Sequence, residues 1–468
     1  MKNKLAFLDK KINLIENIFT VIFLIYGIMN CCGITFGKAI IKPFMYGSIL
    51  LAAVILLYRV ISIKSYAKIP QALLAVLPVA AIGLSTLLNR EYSFKENVIF
   101  CIYWAFYFLI LFITKKDRSA KECKTALFVT GTAFCVYASL FALIALVMYF
   151  TGVSRLIVVG NTEICLGFRW GRLWGLFINP NIGAVACAVT ILFLVYAFGR
   201  AKKVWQKVLL GIDMFICFAY IVLSDSRSGA VVLTFGIGAY VLVVLLCRFR
   251  GEKIFKSLLS VVLAGVIALG GFFAVRLVRK PVNYIIEHVE IENGDNEDDK
   301  NIDLTIDRGY DLSDDVSNRR FDVWKSGIEL FTHSGKKMLF GLSFCGFTDY
   351  AKDNMPDTYI VNNDYQNMIT LDNDILNIMV SNGIFGLLAM AAFVIYILVF
   401  VIKKFKTIKK EDAPMAAVVI AMLFALSCAA MFSSVMFYRF SPVAILFWAV
   451  LGQFMSYLEI GDNNKNEL

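Results

Sequence analysis

The feature that constrains this chain most is a series of twelve apolar runs, each long enough to cross a lipid bilayer. Crossing about 30 Å of hydrocarbon in a helix takes about 20 apolar residues. Runs of this kind fall at roughly 12–32, 43–61, 70–88, 98–114, 125–150, 181–199, 208–224, 229–247, 257–275, 375–400, 413–432 and 441–458. A helix satisfies its own backbone groups in lipid, so the pattern predicts an all-α, polytopic membrane protein. By length alone 468 residues would suit about three soluble domains. With 59% hydrophobic and only 17% charged residues, there is too little charge to coat them. The first run exceeds a signal-peptide core and lacks a small-residue cleavage site, so it is expected to remain as a helix.

Lysine and arginine set the orientation. With the N-terminus inside, the basic pieces "MKNKLAFLDKK", "RVISIKSYAK", "KKDRSAKECK", "GRAKKVWQK", "RFRGEKIFK" and "KKFKTIKKED" all fall on the cytoplasmic side. Both termini are then cytoplasmic, and the net charge of +11 faces the anionic inner leaflet. Nothing in that charge calls for a nucleic-acid partner. Residues 1–275 carry spans one to nine, 276–371 form one large outer loop, 372–458 carry spans ten to twelve, and 459–468 are a cytoplasmic tail. Within the loop, 283–318 is acidic, Asn-rich and read as a mobile stretch. The second part, 319–371, places Phe321, Trp324, Ile328 and Phe331 at helical spacing and predicts amphipathic helices over the membrane domain.

The eleven cysteines show no CxxC and read as buried apolar fillers. Cys165 and Cys345 both fall in outer loops, where a disulfide is open to them. Two histidines leave no basis for a His-built metal site, and no metal is expected. No Walker A, GxSxG or strand-following GxGxxG is present.

The informative residues are polar ones at apolar boundaries, and they gather on the outer side. In "FRWGRLWGLFINPNIGA", Arg169 and Arg172 stand among aromatics just before Asn179-Pro180-Asn181 caps and starts span six. A helix N-terminus beside arginines suits a phosphate; an interfacial Arg–Trp belt is the alternative, favoured for Arg169. In "SDSRSGA", a tight turn puts Arg227 at the outer boundary, with Asp225 either its partner or free. In "NRRFDVW", Arg319 and Arg320 precede the loop helix. In "TLDNDILNIMVSNGIFG", Asp372, Asn373 and Asp374 lead into span ten. Asp374 reads as a first-turn acid; Asp372 reads either as the helix cap or as a group acting in chemistry. Three arginine sites on one face fit an anion clamped at the membrane surface, since arginine binds phosphate in a bidentate fork.

These stretches resemble the O-antigen ligase and O-antigen polymerase superfamily of bacterial envelope glycosyltransferases. "RLWGLFINPN" is similar to its Arg-x-x-Gly-x-Phe-x-Asn-Pro-Asn, "SDSRSGA" to its Ser-x-Ser-Arg turn, and "RFDVW" with "LFGLSFCGF" to its Arg-x3-Trp and Gly-rich loop elements. "DNDILNIMVSNGIFGLL" is similar to its His-Asn-x-x-Leu and Gly-Ile-x-Gly-Leu. The resemblance covers the topology as well. It implies a C-type-like glycosyltransferase fold and a metal-independent, cofactor-free enzyme in the bacterial cytoplasmic membrane, with its active site on the extracytoplasmic face. The implied donor is a glycan on undecaprenyl diphosphate, and the acceptor another glycan or envelope molecule. By position, Arg172 and Arg227 would bind the diphosphate and Arg320 would close on it, with Arg169, Asp225, Arg319 and Asn373 in support. Asp372 stands where the family carries histidine. A carboxylate can accept the acceptor's proton, but at a helix N-terminus it is a weaker base. Polymerising repeat units leads; ligation of finished glycan to another acceptor stays open. A twelve-span transporter or flippase is the reading from another class. It is disfavoured because the polar groups cluster at one face and the large loop divides the spans nine to three. A membrane scaffold or sensor ranks below it.

Overall fold

The structure is a computed structural model that describes residues 2–66, 69–114, 118–160, 162–249, 254–288, 305–306, 319–333, 335–363 and 370–463. Apart from 283–288 and 305–306, the acidic stretch 283–318 lies outside the described residues. Twelve helices are long and apolar enough to cross a membrane, in the order the sequence predicts. They are α1 (Lys2–Asn30), α2 (Lys42–Ile61), α4 (Pro70–Leu88), α5 (Phe94–Ala105, continued as a π-helix over Phe106–Phe112), α6 (Ala120–Phe150), α7 (Pro180–Arg200), α8 (Val204–Leu223), α9 (Arg227–Arg248), α10 (Ile254–His288), α13 (Asp374–Lys404), α14 (Ala413–Ala430) and α15 (Pro442–Asn463). Between them lie the short α3 (Ile63–Tyr66), α11 (Arg320–His333) and α12 (Phe347–Asn354). Several starts follow local rules. Proline occupies the first turn of α2, α4, α7 and α14, where its missing N–H costs nothing. Ser119 and Glu122 form a capping box at α6.

The all-α expectation needs one correction. Residues 154–175 form a three-stranded antiparallel sheet, β1 (Ser154–Val159), β2 (Thr162–Arg169) and β3 (Arg172–Gly175). β-branched and aliphatic residues dominate β1 and the middle of β2, and both hairpins close in two residues. At the second, Trp170 and Gly171 have φ of 52° and 64°. Positive φ at both central residues matches the right-handed twist of paired strands.

The bundle is centred on α15, 83% of whose span is buried, the largest share of the twelve. Trp448 of α15 packs with Phe108 and Phe112 of the π-helix, Phe393 of α13 and Phe437. At one end of the bundle, buried Glu16 of α1 joins Arg59 of α2 and Arg118. Arg59 also donates to the Leu109 and Ile110 carbonyls of the π-helix, and Arg118 reaches Gln453 of α15 at 2.6 Å. Lys124 and Asp412 pair at the same end. The opposite end gathers the segments around 31–38, 89–93, 151–179, 224–226, 319–373 and 431–441. They are joined by a Cys32–Phe177 bridge and by bonds from Asn89 to Gly341, Arg172 to Ser224 and Asn373 to Met431.

Candidate functional site

The second hairpin delivers Arg172 to the turn between α8 and α9. Its Nε donates to the Ser224 carbonyl at 2.8 Å and its Nη2 to Asn181 Oδ1 at 2.7 Å. The same Oδ1 accepts from Ser226 Oγ at 3.0 Å. Ser226 is the N-cap of α9 and accepts from the Gly229 amide. Asn179 caps α7 as its sequence predicts, accepting from the Asn181 amide at 2.8 Å. One guanidinium thus ties the starts of two helices together, and Arg227 is the first residue of the second. Asp225 sits in this turn with φ of 45°, partly exposed, its amide donating to the Val222 carbonyl. Arg169 stacks over the Trp170 ring at 5.5 Å.

α11 brings the third arginine. Arg227, Ser228 and Val231 of α9, Phe272 of α10, Arg320, Phe321 and Trp324 of α11, and Ala429 and Phe432 beyond them enclose a cavity of about 270 Å³. Two arginines distant in sequence therefore share one largely aromatic chamber. The buried indole N–H of Trp324 has no hydrogen-bond partner among the described residues, which leaves a donor at this wall. Arg319, though adjacent to Arg320, turns the other way. It stands 3.7 Å from Asp322 and lines a separate polar groove. Arg172 and Arg169 do not line the arginine cavity.

The buried face of α11 differs from the aromatic stripe that its sequence suggests. Val323, Ser326, Gly327 and Leu330 are buried, whereas Phe321 is 66% and Ile328 48% exposed. Small residues let the helix approach closely. A Cβ on Gly327 would sit 2.9 Å from Leu371, and Ser326 Oγ accepts from the Tyr359 amide at 3.2 Å. The aromatics flank that contact and face the cavity instead.

The stretch 370–377 corrects one expectation. The cap of α13 is Asn373, not Asp372. Its Oδ1 accepts from the Ile375 and Leu376 amides at 2.9 and 3.1 Å, while its Nδ2 donates to the Met431 carbonyl. Asp372 precedes the cap, half-buried, with φ of 48°, a conformation aspartate tolerates better than most residues. Thr370 Oγ1 donates to it at 3.3 Å. Asp374 is the first-turn acid that its position suggests. It is buried, and its Oδ2 accepts from the Met436 amide at 3.1 Å. Asn377 accepts from the Leu371 amide and donates to Ser434 Oγ at 2.7 Å. Trp448 and Trp104 donate to the Met436 and Phe437 carbonyls. Together these side chains satisfy a buried, non-helical stretch over 433–438. Irregular backbone within a membrane bundle requires such partners.

α13 itself breaks at Gly383, where φ is 68° and ψ −166°. The freed carbonyls are used. Val380 and Ser381 accept from the Leu342 and Ser343 amides at 2.9 and 3.0 Å, and Ser85 Oγ also donates to Ser381. Asn89 and Asn97 hold the same inserted segment through Gly341, Ser343 and Cys345. Cys165 and Cys345 are both free thiols; burial pushes them up to about 11 and about 12 respectively. Among the described residues, no three His, Cys, Asp or Glu side chains come together as metal ligands.

The stretch from α8 to the first part of α13 holds Arg227, Arg320, Asp372 and the α13 break, and it is this stretch that can be compared with known proteins. Residues 212–391 match the O-antigen ligase family model. The chain carries an O-antigen ligase family domain. Its twelve candidate spans make the chain a multi-pass membrane protein, and the enzymes of the matching family transfer lipid-linked glycans. No curated protein matches the chain. The O-antigen ligase domain includes both cavity arginines; Arg169 and Arg172 lie before it. Sequence reasoning missed Trp324 as a cavity donor and Asn377 and Asp374 as clamps on 431–438. An acid and an amide three residues apart at the head of an apolar helix were the available signal.

Proposed function

We propose that the protein polymerises polysaccharide repeat units at the extracytoplasmic face of the bacterial cytoplasmic membrane, taking them from undecaprenyl diphosphate. The observation that carries this reading is the cavity shared by Arg227 and Arg320 within the O-antigen ligase family domain. The two guanidiniums supply counter-charge for a diphosphate, and the walls of Val231, Phe272, Phe321, Trp324 and Phe432 suit the isoprenoid next to it. In the reaction an acceptor hydroxyl oxygen forms a bond to the anomeric carbon. The bond from that carbon to the diphosphate oxygen breaks, and lipid diphosphate leaves with the electron pair. Charge grows on the leaving group, where preorganised arginines in a dry site stabilise it most. The arginines do this without a metal. Arg172, bonded to Ser224 and Asn181, serves the diphosphate by fixing the turn from which Arg227 projects. Asp372 takes the hydroxyl proton from the acceptor side, away from the anion. The C-type-like fold and the outward placement of this end of the bundle belong to the same proposal; the basic connections at the opposite end support the orientation. Ligation is the second reading, favoured by the description of the matching family.

The test is purified protein with a lipid-diphosphate glycan, with and without acceptors and chelator. Chelator-insensitive release of lipid diphosphate is expected, with longer lipid-linked glycan as product; glycan on a different acceptor would instead show a ligase. Removing one donor to the developing charge, in Arg227→Ala or Arg320→Ala, should slow turnover about 10²- to 10³-fold. Wild-type turnover in both variants at normal protein level refutes the clamp.

A further inference from the structure

α11 has a second working face. Turned away from the arginine cavity, Arg319, Asp322, Lys325, Ser326 and Glu329 form one wall of a groove of about 660 Å³, with residues 354–359 as the other. The Ser326–Tyr359 bond fixes the two walls to each other. The lining has a different chemistry from the cavity. Both cations stand near a carboxylate of α11, Arg319 at 3.7 Å from Asp322 and Lys325 at 3.9 Å from Glu329. Asp357 adds one further carboxylate from the opposite wall. The groove is therefore close to charge-balanced and slightly acidic, which disfavours phosphate. It is rich in oxygen acceptors, with Thr358 and Asn354, and Tyr359 also lines it.

We propose that this groove is a saccharide-binding site that holds the glycan chain while its diphosphate end occupies the arginine cavity. Carboxylates accept short, strong hydrogen bonds from hydroxyls, and a tyrosine offers an apolar ring face with a polar tip. Position supports the assignment. Arg319 and Arg320 are consecutive, so the start of α11 walls both sites. A glycan leaving a lipid diphosphate is too hydrophilic to follow the isoprenoid and must run along a polar surface. Among the described residues, the groove is a polar surface that α11 presents. The assignment rests on the glycan-transfer reading for its ligand class, yet it is measured without turnover.

The probe is the set of oligosaccharides released by mild acid from the producing cell's lipid-linked glycans, with binding to full-length protein in detergent followed by saturation-transfer NMR. Glu329→Ala with Asp357→Ala should weaken binding at least tenfold. A filling substitution, Thr358→Trp, should do the same from the other wall, and Arg320→Ala should leave oligosaccharide binding within twofold. Both groove positions carrying the alanines are at least partly exposed, so unfolding temperature should not change. Undiminished binding in both groove variants overturns the proposal, as does equal loss in Arg320→Ala. Failure of the wild type to release lipid diphosphate would instead count against the reaction, and would leave the groove result standing.

Discussion

Gly383→Ala tests how the site is held. The break in α13 sets its short first part, 374–382, against the inserted segment 341–345, and that part clamps 431–438 beside the arginine cavity. Gly383 has φ of 68° and ψ of −166°, a region open essentially to glycine, where another residue costs about 1–3 kcal/mol. A Cβ there would also meet Gly341 N and Met338 O at 2.5 Å and Leu339 C at 2.6 Å. These are backbone atoms, and overpacking of that kind costs about 1–3 kcal/mol more. The sum, about 2–6 kcal/mol, is a large part of a total stability of about 5–15 kcal/mol. The control is Gly265→Ala in α10, where a Cβ meets nothing within 4 Å. Thermal unfolding in detergent, with the level of full-length protein in membranes, reads the difference. Gly383→Ala should unfold several degrees lower and accumulate poorly, and Gly265→Ala should match wild type. Equal unfolding of the two variants would refute the close-approach reasoning.

Other outcomes follow from the same contacts. Asn373→Ala should cost about 1 kcal/mol through loss of the α13 cap, whereas Asp372→Asn should leave unfolding unchanged. If Asp372→Asn also retains full glycan transfer, the proton-accepting role is refuted. Trp170→Asn should leave stability equal or raise it by up to about 1 kcal/mol, because asparagine suits the positive-φ turn better than tryptophan; a marked fall in unfolding temperature would contradict this. Glu16→Ala leaves Arg59 and Arg118 buried without their shared carboxylate and should cost about 3–5 kcal/mol. A shift below one degree in thermal unfolding would show that the cluster is not a structural lock.

The spans were legible because hydrocarbon thickness and self-satisfied backbone leave few options, and composition alone imposes them. The arginines were legible for a related reason, since charge at an apolar boundary needs a cause. What sequence could not supply was which arginine faces which partner. Arg172 and Arg227 read alike, yet Arg172 spends two nitrogens on Ser224 and Asn181 while Arg227 lines the cavity. Arg319 and Arg320 are neighbours that diverge, because Arg320 opens α11 while Arg319 stands just before it with φ of 62°. The cap of α13 was misplaced by one residue. Three capping-competent residues stand in a row, and only the contact of Asn373 with Met431 selects among them. The hairpin at 154–175 was hidden by its setting between two long apolar helices.

The burial of α15 bears on how the protein is made. This span is translated after the other eleven, yet it is the most enclosed, seated against α1, α6 and the π-helix, and Arg118 reaches forward to its Gln453. Until it is made, the surfaces of α1, α6 and the π-helix that it covers lack this partner. The arginine chamber takes Phe432 from the segment between α14 and α15, and Trp448 of α15 holds that segment at the Met436 carbonyl, so the twelfth helix anchors one of its walls.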